Sequence, residues 1–165
     1  MVRTSTKTAA PDLRHTPRTL PHGRRANCKQ CPVRKVMLFS ALSESAVDRM
    51  LGPIDSFVYP EGAALYTKGD PTDWVYSIRH GVVKLEESYN GGTARIVRLI
   101  GPGAAIGVEG LAQRAAYNET AVAVTEVKAC RIPMSFVSDL ARAEEQLSIR
   151  LLTVWQQHLE RADQT

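Results

Sequence analysis

Three cysteines are the residues of this sequence with the widest chemical range. Cys28 and Cys31 form a Cys-x-x-Cys motif near the start of the chain, and Cys130 stands much later in a Cys-Arg-Ile-Pro run. Thiolates bind iron–sulfur clusters and zinc, and paired thiols support redox reactions. Because an odd set of three does not form a disulfide framework, we expect thiols, metal ligands or redox groups.

The number of ligands leaves the role of these cysteines open. An iron–sulfur cluster and a structural zinc ion each usually take four ligands, and the chain has three cysteines. The fourth would come from outside the chain or from one of these side chains: Asp12, His15 or His22. Three interpretations remain. They are a cluster or zinc site with a non-cysteine ligand, a redox pair of Cys28 and Cys31 with Cys130 buried, and an inert motif with Cys130 in the core.

Charge is distributed unevenly along the chain. Residues 1–36 hold nine Lys or Arg and one acid, Asp12, which gives +8, whereas residues 37–165 hold twelve bases and sixteen acids, which gives −4. We expect residues 1–26 to form a disordered basic tail, since they are too polar to bury a core. A basic arm of this kind could also make weak, salt-sensitive contacts to nucleic acid.

Composition and motifs exclude several classes of protein. No apolar run approaches the roughly 20 residues that span a bilayer, and the N-terminus lacks the apolar segment of a secretory signal. We therefore expect a cytoplasmic protein without a membrane partner. The sequence has no nucleophile–base set, phosphate-binding loop or metal-hydrolase motif, so we do not expect an enzyme.

Between residues 55 and 133, short β-rich runs alternate with turn residues. The turn at Asn90-Gly91-Gly92 is a strong hairpin signal. The pattern predicts eight strands: Ser56–Tyr59, Ala64–Thr67, Trp74–His80, Gly81–Tyr89, Thr93–Ile100, Ala105–Gly107, Glu119–Val124 and Glu126–Ile132. Many short strands at regular spacing indicate a mainly β fold, a jelly-roll-like β-roll. Ser43 is a candidate N-cap for a short helix that lies between Ser43 and the first predicted strand.

Helical periodicity follows the strands. We predict a short helix at Ser135–Ala141 and a long helix from about Ala143 to Arg161, with two apolar stripes. The first stripe is Leu147, Leu151, Val154 and His158, and the second is Leu152, Trp155 and Leu159. Two stripes suggest that one faces the β-domain and the other a partner, and we assign the first stripe to a dimer interface. The alternative is a single wide stripe that docks across the roll.

Together these segments resemble the cyclic-nucleotide-binding β-roll of Crp/Fnr-type transcription regulators. The resemblance is carried by Gly69-Asp70, the strand runs around Val75–Ile78 and Gly81–Leu85, the Asn90-Gly-Gly hairpin and Leu99–Gly107. It implies a double-stranded β-helix (jelly-roll) fold in which residues 27–141 form a sensory domain and residues 142–165 a dimerisation helix. The partner would be a second copy or a full-length relative.

In members that bind cAMP, a Gly-Glu-x-Gly/Ala-Leu turn and an Arg-Ser/Thr-Ala triplet hold the ribose and the cyclic phosphate. The corresponding residues here are Gly107, Val108, Glu109, Gly110, Leu111, Glu119, Thr120 and Ala121. Val108 replaces the ribose-binding glutamate, and Glu119 replaces the phosphate-binding arginine. Glu109 stands one place later and, if that stretch is extended, points to the opposite face. We therefore expect that cAMP does not bind.

The cysteines resemble those of the oxygen-sensing Fnr branch, which implies an iron–sulfur cluster or thiol-based sensor. The next cysteine of that branch falls here at Met37, or at Phe39 in the spacing of some relatives, so the set is one thiolate short. Family members continue into a helix-turn-helix domain, whereas this sequence ends at Thr165. We therefore expect no sequence-specific DNA binding by this chain alone. A module for a small effector other than a cyclic nucleotide remains the alternative function.

Overall fold

The computed structural model describes residues 18–19, 31, 40, 42–50, 54–88, 92–112 and 115–162. Within this part of the chain the strands are β1 Arg18–Thr19, β2 Asp55–Tyr59, β3 Ala64–Tyr66, β4 Trp74–His80, β5 Val83–Ser88, β6 Ala94–Ile100, β7 Ala105–Ile106, β8 Thr120–Ala123 and β9 Val127–Pro133. The helices are α1 Glu44–Met50, α2 Met134–Ala143 and α3 Glu145–Ala162, and a 3-10 helix spans Val108–Ala112.

The strands form two antiparallel sheets. The first sheet has the order β1-β2-β9-β4-β7 and the second has the order β3-β8-β5-β6. Their facing sides enclose an apolar core, the roll interior, whose buried residues include Phe57, Tyr59, Tyr66, Tyr76, Ile78, Val83, Leu85, Tyr117, Ala121 and Val127. This arrangement confirms the mainly β, jelly-roll-like fold that the sequence predicts.

The opposite side of the first sheet is covered by the helices. This second cluster, the helix-facing core, comprises Leu42, Ala46, Ile54, Val75, Ala105, Val108, Cys130, Ile132, Val137, Leu140 and Leu147. Side chains alternate between the two faces of a strand, so β4 sends Val75 into the helix-facing core and Tyr76 into the roll interior. Burial of β4 and β9 on both faces places them at the centre of the domain.

The element boundaries agree with the sequence to within two residues for the eight predicted strands, which correspond to β2–β9. The capping prediction is confirmed as well, since the Oγ of Ser43 accepts a hydrogen bond from the backbone N–H of Ala46 at 3.2 Å. One expectation needs correction within the supposed disordered tail. Arg18 and Thr19 pair with Val58 and Phe57 as strand β1. The rest of residues 1–26 lies outside the described part of the chain.

Candidate functional site

Gly107 begins the turn that corresponds to the nucleotide cassette. Its φ is +81°, and a Cβ added there would lie 2.8 Å from the backbone oxygen of Trp74 and 3.1 Å from a ring carbon of Tyr117. At Gly110, a Cβ would lie 2.8 Å from the Cβ of Thr72. Both positions therefore require glycine because neighbouring chain atoms approach closely.

Val108 and Leu111 are directed away from the roll interior. The residues after Gly107 form the 3-10 helix Val108–Ala112, which contacts α2 and α3. Val108 is only 4% exposed in the helix-facing core, and the partly buried Leu111 packs against the same core. Val108 thus belongs to the packing beneath the helices, and a ribose-binding side chain is absent at this position.

Glu109 lies in the 3-10 helix that follows Gly107. Because this stretch is helical, the alternation of an extended strand does not apply. The negative charge of Glu109 lies close enough to Tyr66 and Tyr117 to contribute to their raised pKa values, after the larger effect of burial. The expectation for an extended stretch therefore does not apply to Glu109, and its carboxylate adds negative charge near Tyr66 and Tyr117.

Glu119 is the residue that the resemblance matches to the phosphate-binding arginine. Its carboxylate lies 3.4 Å from the guanidinium of Arg98 on β6, and the two side chains are 25% and 20% exposed. The Oγ of Thr120 accepts a hydrogen bond from the backbone N–H of Lys68 at 3.0 Å, and Ala121 is fully buried. The triplet therefore carries a carboxylate that already pairs with the cation beside it.

Stacked tyrosines occupy the roll interior beside the cassette. The rings of Tyr66 and Tyr117 are 3.9 Å apart between centroids and nearly parallel, and Tyr76 lies 5.6 Å from Tyr66. The hydroxyl of Tyr117 donates to the backbone oxygen of Trp74 at 2.6 Å. Burial raises the pKa of Tyr76 to about 12 and raises the pKa of Tyr66 and Tyr117 well above the ordinary tyrosine value. These phenols are neutral at physiological pH.

The aromatic cluster was missed by sequence reasoning. The signal was present, since aromatic residues at alternate positions of two strands, Phe57 with Tyr59 and Trp74 with Tyr76, must share one face. That this face lines the roll interior depends on the pairing of β2 and β4 with β9.

The cysteines separate into a buried residue and two N-terminal residues. Cys130 is 4% exposed in the helix-facing core, together with Leu42 and Ala46 from the segment that follows the Cys-x-x-Cys motif. Cys31 is half-buried, and Cys28 lies outside the described residues. Among the residues that the structure describes, no group of three or more His, Cys, Asp or Glu side chains could hold a metal ion. The three cysteines of the chain supply one thiolate fewer than a four-thiolate cluster needs.

The first apolar stripe of α3 is used within the chain. Leu147 is fully buried in the helix-facing core, and Leu151 packs against it. Leu147 is therefore not available to a partner, which corrects its assignment to a dimer interface. The exposed apolar residues of the described part of α3 are Ile149 and Leu152, at 50% and 67% exposure, and Leu152 belongs to the second stripe. The side chains of Val154 and His158 lie outside the described ones.

The fold and the cassette turn define a class of ligand-sensing β-roll, and comparison with known proteins identifies it. The profile of the cyclic nucleotide-binding domain matches residues 56–144. The chain therefore belongs to the cyclic nucleotide-binding domain family, in the form found in Crp/Fnr-type regulators.

Similar proteins include the cyclic AMP receptor protein of Thermus thermophilus, which is 31% identical over 91 residues, 55% of this chain and 42% of that protein. The crystal structure of the Thermus thermophilus catabolite activator protein matches with a TM-score of 0.66 and 27% identity, and the match covers 76% of this chain and 59% of that one. The sensor domain of the regulator DNR from Pseudomonas aeruginosa has the same fold, with a TM-score of 0.70 at 20% identity over 81% of this chain and 91% of that one.

The chain spans about half the length of the curated relatives that it matches. No helix in the described part of the chain is long and apolar enough to cross a membrane.

Proposed function

We propose that this chain is the sensory domain of a Crp/Fnr-type transcription regulator, a cytoplasmic, non-enzymatic protein that signals through dimerisation and does not respond to cAMP. The observation that carries the loss of cAMP binding is the Glu119–Arg98 ion pair at the cassette. A cyclic phosphate needs a cation at this place, and here a carboxylate stands there instead.

The electrostatics of the cassette support this proposal. Arg98 is the cation that pairs with Glu119, so a phosphate that engaged Arg98 would have to displace that carboxylate. Glu109 contributes a second negative charge beside Tyr66. A charge-assisted hydrogen bond contributes about 1.5–3 kcal/mol, so its loss lowers affinity by about one to two powers of ten, and the added repulsion lowers it further.

Calorimetric titration of the full chain with cAMP and cGMP tests this part of the proposal. We expect no saturable heat at micromolar nucleotide for the wild type. Glu119→Arg should gain affinity because it restores a cation and frees Arg98, whereas Glu126→Arg, an exposed acid replaced in the same way outside the cassette, should not. Micromolar binding of cAMP by the wild type would contradict the proposal.

The exposed face of α3 supports the dimerisation part. Ile149 and Leu152 present large apolar side chains to solvent on a helix whose other side is anchored by Leu147. Burial of such side chains against a partner is favourable by about 1.5–3 kcal/mol each. A second copy of this chain or a full-length relative is the proposed partner.

Analytical ultracentrifugation tests the dimer. We expect the wild type to sediment as a dimer and Leu152→Glu to shift towards the monomer, since a charge cannot be buried without a partner. Val124→Glu changes an exposed apolar residue outside α3 and serves as the control. A strictly monomeric wild type would count against signalling through dimerisation.

The location of Cys130 favours a second candidate, a thiol-based or iron–sulfur redox sensor. Cys130 shares the helix-facing core with Leu42 and Ala46, which follow the Cys-x-x-Cys motif in sequence by about a dozen residues. Anaerobic purification with iron and zinc analysis and a visible spectrum tests it. Metal bound in proportion to protein and lost in Cys130→Ser supports a metal site. A colourless, metal-free protein whose thiols do not respond to oxidant contradicts this candidate.

A further inference from the structure

Arg131 places its guanidinium between two aromatic rings inside the roll. It follows Cys130 on β9, and since adjacent side chains point to opposite faces, Arg131 turns towards the roll interior. The guanidinium carbon lies 4.3 Å from the ring centroid of Phe57 and 4.1 Å from a ring centroid of Trp74. One neighbour on β2 and one on β4 thus each place a ring against a cation on the central strand.

The charge of Arg131 has no counter-ion in the part of the chain that the structure describes. None of the ion pairs there involves Arg131. Asp55 lies opposite Arg131 in the strand register, but it is exposed and forms no ion pair with it. The Nε of Arg131 is buried without a hydrogen-bond partner. Ring faces attract the cation but accept none of its in-plane N–H groups, so its edge is left for an acceptor.

Tyr59 supplies a second unpartnered donor on the same face. Its side chain is fully buried, and its hydroxyl has no hydrogen-bond partner. Its ring lies 6.3 Å from that of Phe57, whose face Arg131 covers. A buried donor without an acceptor is costly, and two such donors beside one ring are therefore evidence of an acceptor that comes from outside the chain.

We propose that the roll interior binds a small oxyanion, a carboxylate or a phosphate group, through the guanidinium of Arg131 with the hydroxyl of Tyr59 as the neighbouring donor. A planar guanidinium held between rings presents a fixed fork that matches two oxygens of such a group. Arg131 is half-buried, so part of the residue reaches solvent although its Nε is buried.

This site differs from the nucleotide cassette in position and charge. The cassette carries Glu119 beside Arg98, whereas the unpaired cation is on β9. The stacked rings of Tyr66 and Tyr117 lie beside Gly107 in the roll interior. We infer a compact anion because the unpartnered donors are one guanidinium and one hydroxyl. The proposal does not depend on dimerisation, and its failure would leave the cAMP and sedimentation results unchanged.

Fluorescence titration of the full chain tests the site. The chain has two tryptophans, so a Trp155→Phe background makes Trp74, which contacts Arg131, the reporter. The probes are sodium phosphate and sodium benzoate, each compared with sodium chloride at equal ionic strength. We expect a saturable change with at least one of the two anions, and the anion that binds identifies the group.

Two arginine variants separate the site from a general charge effect. Arg131→Gln should weaken anion binding at least tenfold. Arg79→Gln is the matched control and should leave it unchanged, because Arg79 is also half-buried with an unpartnered Nε but donates to Ser56. If circular dichroism shows that Arg131→Gln is unfolded, Arg131→Lys keeps the charge without the fork and should bind more weakly than wild type.

Three outcomes would overturn the proposal. The first is a wild-type response that matches that of chloride. The second is equal loss of binding in Arg79→Gln and Arg131→Gln. The third is unchanged affinity in a folded Arg131 variant.

Discussion

Two tyrosines of the roll interior differ in what their hydroxyl groups contact. The hydroxyl of Tyr117 donates to the backbone oxygen of Trp74 at 2.6 Å and accepts from its N–H at 3.3 Å. The hydroxyl of Tyr59 is buried without a partner. A hydroxyl that satisfies a buried backbone group is stabilising, whereas an unpartnered one carries only its desolvation penalty.

We therefore expect opposite results from two equivalent substitutions. Tyr117→Phe should lower the free energy of unfolding by about 1–2 kcal/mol, since it leaves the backbone of Trp74 without its partner. Tyr59→Phe should be neutral or slightly stabilising in anion-free buffer. Urea unfolding of both variants provides the measurement, and equal losses would show that the hydroxyl contacts do not matter.

A second pair of residues separates backbone conformation from contact. Gly62 and Gly107 have almost the same φ, +80° and +81°, but a Cβ at Gly62 meets nothing within 4 Å, whereas one at Gly107 meets Trp74 and Tyr117. Gly62→Ala should lower the free energy of unfolding by about 1–2 kcal/mol, because alanine is strained in the left-handed conformation. Gly107→Ala should lower the free energy of unfolding by about 1–3 kcal/mol more than Gly62→Ala, because the added Cβ also overlaps its neighbours. Chemical denaturation measures the difference, and equal costs would mean that the cassette turn relaxes freely.

At the scale of elements, helix α3 has two apolar faces with different uses. Leu147 packs the first turn of α3 into the helix-facing core, whereas Leu152, which belongs to the second stripe, is 67% exposed. The hydroxyl of Ser148 also donates to the backbone oxygen of Ala141, which ties α3 to the end of α2. The beginning of α3 is therefore fixed to the β-roll, and its outward face is available to a partner.

Alanine substitutions in α3 should separate these uses. Leu147→Ala should lower the free energy of unfolding by about 2–5 kcal/mol, since it opens a cavity in the core. Leu152→Ala should change the stability of the monomer little but weaken self-association. Denaturation at several protein concentrations distinguishes the two effects. If only Leu147→Ala showed a loss of stability that depends on protein concentration, the assignment of the two faces would be wrong.

At the scale of the whole molecule, the buried tyrosines make stability sensitive to alkaline pH. Burial is the largest cause that raises the pKa of Tyr76 from its ordinary value of 10.0 to about 12, and burial also raises the pKa of Tyr59, Tyr66 and Tyr117. The unfolded chain thus loses these protons at lower pH than the folded chain does. The contribution of the neutral tyrosines to the free energy of unfolding is fully present below pH 10 and is lost as the pH rises towards 12.

We expect the free energy of unfolding to fall steeply between about pH 10 and pH 12. Each tyrosine that ionises only in the unfolded chain contributes a loss of about 1.4 kcal/mol per pH unit. Urea unfolding at stepwise pH measures this slope, and Tyr76→Phe should reduce it. A flat profile up to pH 11 would contradict burial of the phenols as the cause.

The sequence by itself determined the order and type of the elements. Alternating runs separated by Gly, Pro and Asn turns predict β2–β9 closely, because strand periodicity and turn chemistry are local properties. The same local reading identified Ser43 as a helix cap. It also predicts that Val108 and Glu119 stand at the positions of the polar anchors of the cassette, a prediction that follows from the resemblance.

Only the tertiary structure decided which faces meet. Helical periodicity separates two stripes on α3 but cannot say which one packs on the roll, and the packing of Leu147 settled this against the sequence-based assignment. The structure also shows that Glu109 lies in a 3-10 helix and not in an extended stretch. The ion pair of Glu119 with Arg98 joins residues before β8 and on β6 that only sheet pairing brings together. Likewise, the sequence does not distinguish Arg131 from the other basic residues, whereas β2 and β4 each place an aromatic ring against it. Each of these contacts joins segments that are distant in sequence, and local sequence patterns do not predict which segments pair.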